Sequence, residues 1–164
     1  MGEQRYGRFQ IGKLTASLAC TIAVMIMMLV FVKPEVHSMD LDQYKWKNRL
    51  LFIFAPDHND PLLASLRKEL SEQESEVADR DLIVFQILES DSSTMNAEPV
   101  DSQTTSWLRE HFSIPQKTFA LILVGKDGGI KMKRHDRVEL ADIFALIDAM
   151  PMRRQEMRQK GQRD

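Results

Sequence analysis

The sequence predicts a mixed α/β domain preceded by an apolar N-terminal segment. Two observations predict the domain. Three short runs of consecutive apolar residues have the pattern of strands that are buried on both faces of a sheet. Between and after these runs lie segments whose apolar residues recur at helical spacing. A chain of 164 residues has room for one such domain and an appendage.

The N-terminal appendage comprises residues 1–38. A basic head is followed by residues 14–32, which carry no charge and would form a helix about 28 Å long, close to the thickness of a bilayer's hydrocarbon core. Two interpretations remain open, an uncleaved membrane anchor with its N-terminus inside or a signal peptide cleaved after Ser38. Either one predicts that the domain, residues 39–157, is exported to a periplasmic or other extracytoplasmic location, with residues 158–164 as a basic tail.

The cysteine content limits the chemistry of the exported domain. Cys20 is the single cysteine of the sequence and lies within the apolar run, so residues 39–164 contain no thiol and no disulfide. Thiol redox catalysis by this domain is therefore excluded. The formal net charge of −2 gives no electrostatic reason to expect a nucleic-acid partner, and we expect none.

The first half of the domain has the pattern of a strand–helix–strand unit. The apolar run at 50–55 predicts a buried strand, and Asp60 followed by Pro61 predicts the N-cap and first residue of a helix that continues to about residue 78. Residues 81–88 predict the second buried strand. The short connections imply parallel pairing and a right-handed crossover.

Polar segments precede and follow this unit. Residues 39–49 form a lead-in in which we expect Tyr44 and Trp46 to act as aromatic anchors. Residues 89–105 predict a long exposed loop, either functional or disordered, with disorder favoured. A short helix is predicted over 106–112.

The second half predicts a strand, a hairpin and a last helix. Residues 118–124 are the third buried strand, "GKDGG" at 125–129 is a hairpin turn, and the alternating residues 130–134 are a fourth strand at a sheet edge. Asp136 and Glu139 have the spacing of a capping box for the last helix. We expect Pro151 to end or kink that helix and the tail beyond it to be solvated.

The resulting order, β-α-β-α-β-β-α with a parallel first half and an antiparallel hairpin, is that of a thioredoxin-like sandwich. In redox members of this fold, the loop after the first strand carries a reactive pair of cysteines; here it holds residues 57–60 instead. That fold often places a cis-proline just before the third strand, where this chain has Pro115. Because Gln116 and Lys117 intervene before the strand, both a cis and a trans bond at Pro115 remain open.

Four segments carry a resemblance to a known family: "FAP" at 54–56, "RDLIVFQIL" at 80–88, "VGKDGGIKMK" at 124–133 and "IDAMPMRRQEM" at 147–157. In these segments the chain resembles the domain of unknown function 4174 family, over roughly residues 40–157. The resemblance implies a thioredoxin-like fold and export, because members include exported bacterial proteins and extracellular matrix proteins of animals. It implies no catalytic residues, since none is settled for the family.

The loop "APDHNDP" is the main candidate site, with Asp57, His58, Asn59 and Asp60 between the first strand and a helix N-terminus. Such a position can receive an anion or a partner's backbone, although two carboxylates oppose an anion. Three interpretations are open: a turn and cap alone, a partner-binding surface that includes Pro115, or acid–base or metal chemistry. We expect no cofactor and no metal, because three ligands within four residues hold a catalytic metal poorly.

Other candidates are weaker. The basic side chains near the hairpin form either a solvated edge or a contact with anionic envelope polymer or lipid; they are Lys131, Lys133, Arg134 and Arg137. We expect His111 to be a partly buried packing residue and His135 to be exposed. The methionines around Pro151 are expected to pack the last helix rather than to bind copper; they are Met150, Met152 and Met157.

The sequence therefore predicts an exported thioredoxin-like domain without redox cysteines that acts as a binding or structural module of the cell envelope. Its expected partners are an unknown envelope protein or polymer, and the membrane itself through residues 14–32 if that segment is not cleaved. The alternative is an enzyme with an acid–base or metal site at Asp57, His58 and Asp60. The predicted fold alone does not decide between these classes.

Overall fold

A six-stranded mixed sheet organises residues 39–162, the part of the chain that the computed structural model describes. The strand order across the sheet is β4-β3-β2-β1-β5-β6. β1 pairs in parallel with β2, and β5 and β6 form an antiparallel hairpin, as expected from the sequence. The strands are β1 (Arg49–Ala55), β2 (Leu82–Leu88), β3 (Ser93–Met95), β4 (Glu98–Val100), β5 (Ala120–Val124) and β6 (Ile130–Arg134).

Five α-helices accompany the sheet, and a 3₁₀ helix at Leu41–Tyr44 precedes it. All the strands and helices predicted for the domain are present in the predicted order. The helices are α1 (Pro61–Glu72), α2 (Glu74–Asp79), α3 (Ser102–His111), α4 (Leu140–Ala149) and α5 (Pro151–Lys160).

The predicted anchor or signal at residues 1–38, including the apolar run at 14–32 and Cys20, lies outside the described residues, as do residues 163–164. Over residues 39–162, no helix combines the length and the apolar character that crossing a bilayer requires.

Two apolar layers lie on the two faces of the sheet, because alternate residues of a strand point to opposite faces. Every residue of β1 is buried. On one face, Leu51 and Ile53 pack with the apolar stripes of α1 and α4. On the other face, Phe52 and Phe54 pack with Leu108 of α3 and its neighbours. β1 is thus the central element of the domain.

The predicted helix over 61–78 is wrong in one respect, since Gln73 divides it into α1 and α2. The backbone of Gln73 leaves the helical region, with φ −127° and ψ 35°, and its N–H donates to Leu70 O. The buried stripe of α1 ends at Leu70, while Val77 packs against the same core from α2. The break therefore redirects the chain toward β2.

The predicted long loop over 89–105 is also wrong, because this segment forms β3 and β4 and extends the sheet beyond β2. Its polar side chains bind the backbone of β2. Ser93 Oγ accepts a hydrogen bond from Leu88 N at 2.9 Å, and Asn96 Oδ1 accepts one from Val84 N at 2.9 Å. Asp101 then caps α3 by accepting from Thr104 N at 2.8 Å, so this helix begins at Ser102 and not at 106.

The predicted capping box of the last helix is absent. Glu139 is the N-cap residue of α4, but its side chain accepts no capping hydrogen bond. Asp136 instead pairs with Arg134, and the N–H of Leu140 donates to Glu69 Oε2 of α1 at 2.8 Å. A side chain from a neighbouring helix has replaced the local cap, which a sequence pattern does not reveal.

Of the two expected aromatic anchors, one packs against the domain and the other does not. Tyr44 packs against the apolar layer that contains Phe85, with ring centroids 6.2 Å apart. Trp46 is 67% exposed and has a positive φ of 64°. The expectation for Trp46 was therefore wrong.

Ion pairs attach α5 to the rest of the domain. The expectation of a solvated tail was wrong at Arg153, which is buried, donates to Asp79 O at 2.7 Å and pairs with the carboxylates of Asp79 and Asp148. Hydrogen bonds from Lys160 and Arg153 lower the pKa of Asp79 to about 2. Glu156 accepts further pairs from β1 and from the β5–β6 turn.

The surroundings of Pro151 agree in part with expectation. Pro151 begins α5 after α4 has ended, and Met150 packs against the core. Met152 and Met157 are 36% and 38% exposed, so the expectation that they pack the last helix was wrong.

Arg153→Ala should lower the free energy of unfolding by about 2 kcal/mol, because it removes a buried guanidinium that binds Asp79 and Asp148 and leaves them with Lys160 and Arg80 alone. Urea denaturation followed by circular dichroism measures the change. The matched control is Arg154→Ala, at an exposed neighbouring position with no ion pair among residues 39–162, for which we expect a change within about 0.5 kcal/mol. Equal effects of both variants would show that the ion pairs do not anchor α5.

Candidate functional site

The candidate loop lies where two parallel strands end. The carboxyl ends of β1 and β2 meet at one edge of the sheet, and the loops that follow them touch. Pro56 O accepts hydrogen bonds from Glu89 N at 3.3 Å and from Ser90 N at 3.2 Å. Residues of both loops therefore contribute to one surface.

Two of the predicted site residues serve the backbone. Asp57 Oδ1 accepts from Asn59 N at 2.8 Å and shapes the turn. Asp60 Oδ1 accepts from Leu62 N at 2.9 Å and from Leu63 N at 3.1 Å, which makes Asp60 the N-cap of α1, as the sequence predicted. These bonds support the turn-and-cap interpretation for both carboxylates.

His58 is held by a residue that the sequence analysis missed. Asp91 Oδ2 accepts from His58 N at 2.9 Å and lies 2.8 Å from His58 Nδ1. These hydrogen bonds, the backbone one first, keep the pKa of Asp91 below its ordinary value. His58 remains 56% exposed, and its Nε2 has no hydrogen-bond partner among the described residues. The pair thus presents one imidazole nitrogen to solvent in a defined orientation.

Arg109 of α3 joins the strand ends to the segment that contains Pro115. Its Nη2 donates to Ala55 O at 3.0 Å and to Ile87 O at 3.3 Å, the carbonyls near the ends of β1 and β2. Its Nη1 donates to Pro115 O at 3.3 Å and lies 3.2 Å from Glu89 Oε1. Burial lowers the pKa of Arg109, while Glu89 opposes this effect. No sequence motif marks Arg109, and the sequence analysis missed it.

The segment that contains Pro115 is joined to the strand ends by Arg109 and, through Lys117, to Glu89. Within the described residues every peptide bond is trans, so the cis alternative at Pro115 is wrong. Lys117, with a positive φ of 55°, donates its N–H to Glu89 Oε1 at 2.6 Å. β5 begins at Ala120, later than the predicted start at Thr118, and Lys117 in the connection ties this segment to Glu89.

A polar pocket of about 870 Å³ opens beside the His58–Asp91 pair. It lies between the loop that follows β2 and the first turns of α3. Hydroxyl and charged groups dominate its lining, which includes Glu89, Ser90, Asp91, Ser92, Ser106 and Arg109. Asp91 belongs both to the pocket and to the pair, so a ligand in the pocket would contact the residue that binds His58.

The other predicted candidates lie elsewhere. His111 is exposed, not partly buried as predicted, and stacks on Trp107 with ring centroids 4.7 Å apart. His135 is exposed, as predicted. In the part of the chain that the structure covers, no group of three or more His, Cys, Asp or Glu side chains could hold a metal ion.

The basic residues of the hairpin bind nearby acceptors. Lys131 pairs with Asp127 at 2.6 Å, and Arg134 with Asp136 at 2.5 Å. Lys133 Nζ donates to Phe112 O at 2.9 Å. Two of the three charged groups on β6 are thus paired with carboxylates, which favours the interpretation of a solvated edge.

The sheet topology and the helix at the end of β1 define a protein of the thioredoxin-like class. The reduced 2-Cys peroxiredoxin of Plasmodium vivax has a similar structure, with a TM-score of 0.54 and 15% sequence identity over 70% of this chain and 84% of that one. The Plasmodium yoelii thioredoxin peroxidase I gives the same TM-score and identity over 70% and 79% of the two chains. Identities this low establish the fold alone.

The chain belongs to the family called Domain of unknown function (DUF4174), whose profile matches residues 40–156. A relative is the "Coiled-coil domain-containing protein 80" of Danio rerio, 28% identical over 141 residues that cover 76% of this chain. The chain spans only 16% of the length of that protein.

Asp60→Ala should lower the free energy of unfolding by about 1 kcal/mol, the usual effect of removing an N-cap side chain. Thermal and urea unfolding of the purified protein measure the change. Asn59→Ala is the control, since Asn59 is exposed and its side chain makes no hydrogen bond among the described residues; we expect a change within about 0.5 kcal/mol. An unchanged stability of Asp60→Ala would contradict the capping role.

Proposed function

We propose that this protein is an exported binding module of the cell envelope, without thiol chemistry in its domain. A partner binds at the surface formed by the loops after β1 and β2, which we call the strand-end surface: residues 57–60 and 89–92. The observation that carries the proposal is the His58–Asp91 pair, exposed beside a polar pocket on loops that are already ordered.

Hydrogen bonds hold these loops in one conformation, which favours binding. Asp57, Asp60 and Asp91 accept hydrogen bonds from the backbone N–H groups of residues 58, 59, 62 and 63, and Arg109 binds the strand ends beneath the loops. A surface that is ordered before binding loses less conformational entropy when a partner binds. Exposed His58 and Asn59 then offer hydrogen-bonding groups in a constant arrangement.

Export is supported by the sequence of residues 1–38. The uncharged run at 14–32 has the length of a membrane span, and a basic head precedes it. The domain would act either anchored through that run or released after Ser38. In both cases the strand-end surface would be accessible to proteins of the cell envelope, and we propose that its partner is a protein.

The test is photo-crosslinking in the native membrane, with a photoreactive amino acid at Asn59 of the full-length chain. We expect a discrete adduct that protease digests, and a severalfold weaker adduct when His58→Ala is added, because His58 adjoins the probe. The control probe occupies Glu72, which is exposed on α1.

Three outcomes would contradict this proposal. An equal yield at Asn59 and Glu72 would mean that crosslinking reflects random encounter. The absence of an adduct at Asn59 would exclude a protein partner on the strand-end surface, and a protease-resistant smear would indicate an envelope polymer in its place.

We propose acid–base catalysis as a second candidate function, favoured by the geometry of His58 and Asp91. With the ring proton on Nδ1, His58 would donate a hydrogen bond to Asp91 Oδ2, and the lone pair of Nε2 would be available as a base. Asp57 and Asp60 do not join this pair, since their Oδ1 atoms accept backbone hydrogen bonds. The predicted set of three acid–base residues is thereby reduced to His58, with Asp91 as the residue that orients it.

If His58 acts in catalysis, His58→Ala should abolish hydrolysis of an ester or peptide substrate without lowering the Tm. Asp91→Asn should reduce the rate of hydrolysis. A panel of chromogenic esters and peptides supplies the assay, and scanning calorimetry supplies the Tm. Asn59→Ala serves as the control that should retain full activity. Turnover that persists in His58→Ala, or no turnover by the unaltered protein, would exclude this function.

A further inference from the structure

Large apolar side chains are exposed around the turn between β5 and β6. Trp46 is 67% exposed, Ile130 55% and Met152 36%. Trp46 N donates to Lys126 O of this turn at 2.7 Å, and Ile130 follows the turn directly. Met152 lines a small cavity together with Gly125, Lys126 and Asp127 of this turn. We call Trp46, Ile130 and Met152 the turn surface.

The exposure of Trp46 is built into the backbone. Its φ of 64° lies in the left-handed region, which a bulky residue rarely adopts, and the hydrogen bond to Lys126 O holds it there. Trp46 therefore contributes little to the apolar layers of the domain. Its neighbour Lys47 is exposed and forms no ion pair within residues 39–162.

This combination of side chains suits the boundary between lipid and water. Tryptophan concentrates at membrane interfaces because its ring is apolar and its N–H is polar. Lysine can lay its aliphatic stem along apolar surface and keep its ammonium group among lipid headgroups. Ile130 and Met152 add exposed apolar area at the same turn.

The chain connection favours a bilayer as the occupant of the turn surface. Met39, the first described residue, lines a cavity of about 630 Å³ together with Gly128 of the turn and Ile130. Six residues, 33–38, separate Met39 from the apolar run at 14–32, so Met39 lies at most about 25 Å from the end of that run even if the connection is fully extended. If residues 14–32 anchor the chain, Met39 stays within that distance of the bilayer. Ile130 lines the same cavity as Met39 and would therefore also lie close to the bilayer.

We propose that the turn surface, Trp46, Ile130 and Met152, lies on the lipid bilayer with Lys47 among the headgroups. This inference rests on the proposed export and on an uncleaved anchor. It also orients the domain, because Trp46 precedes β1 and His58 follows it, at the far end of a strand roughly 20 Å long. The strand-end surface then faces away from the membrane, where a partner can reach it.

The test is fluorescence quenching by brominated lipids, because the sequence contains only two tryptophans. The full-length chain is reconstituted into phosphatidylethanolamine–phosphatidylglycerol vesicles with and without brominated acyl chains. Trp107→Phe leaves Trp46 as the reporter, and its emission should be quenched severalfold. The control carries Trp46→Phe, Trp107→Phe and Asn59→Trp, which places the reporter on the strand-end surface, where we expect no quenching.

The outcomes separate the inference from the proposal on which it rests. If the chain floats with the vesicles but Trp46 and the reporter at position 59 are quenched equally, the lipid contact is wrong and the anchor stands. If the chain does not float with the vesicles, residues 14–32 do not anchor it, and both statements fail. The binding role of the strand-end surface is tested separately by crosslinking.

Discussion

The parallel pairing of β1 with β2 is the constraint on which the rest of the structure depends. Because both strands run in the same direction, α1 and α2 must cross one face of the sheet to connect them. Their carboxyl ends meet at one edge, so residues that follow the two strands become neighbours. His58 and Asp91 are each the third residue after their strand, and this register brings them into contact.

The strand ends also create a requirement for hydrogen bonds. The carbonyl groups of Ala55 and Ile87 lie close to an apolar layer, where an unpaired acceptor would be costly. Arg109 satisfies both, and its own burial is the largest influence on its pKa. The Nε of Arg109 is buried without a hydrogen-bond partner among the described residues, so the hydrogen-bonding capacity of this guanidinium is only partly used. Hydrogen bonds from the Arg109 guanidinium therefore attach α3 to the strand ends, in addition to the apolar packing of Leu108.

Local patterns predicted the core strands well, because a strand buried on both faces must be apolar along its length. The βαβ unit, the edge hairpin and the break at Pro151 followed in the same way. The strands β3 and β4 were missed because their polar side chains, such as Ser93 and Asn96, bind the backbone of a distant strand. The register of parallel strands could have indicated Asp91, whereas nothing local to α3 distinguishes Arg109.

The loop after β1 is held in shape by its own polar side chains. The loop after β1 stays ordered at a helix N-terminus, but its carboxylates accept backbone hydrogen bonds and its one exposed ring is oriented by Asp91. These contacts hold the shape of the loop without any sulfur atom. A surface shaped in this way is suited to recognition, since its groups are aligned before a partner arrives. His58 Nε2 would form a hydrogen bond with a partner if the loop serves recognition, and it would accept a proton from a substrate if the loop serves catalysis.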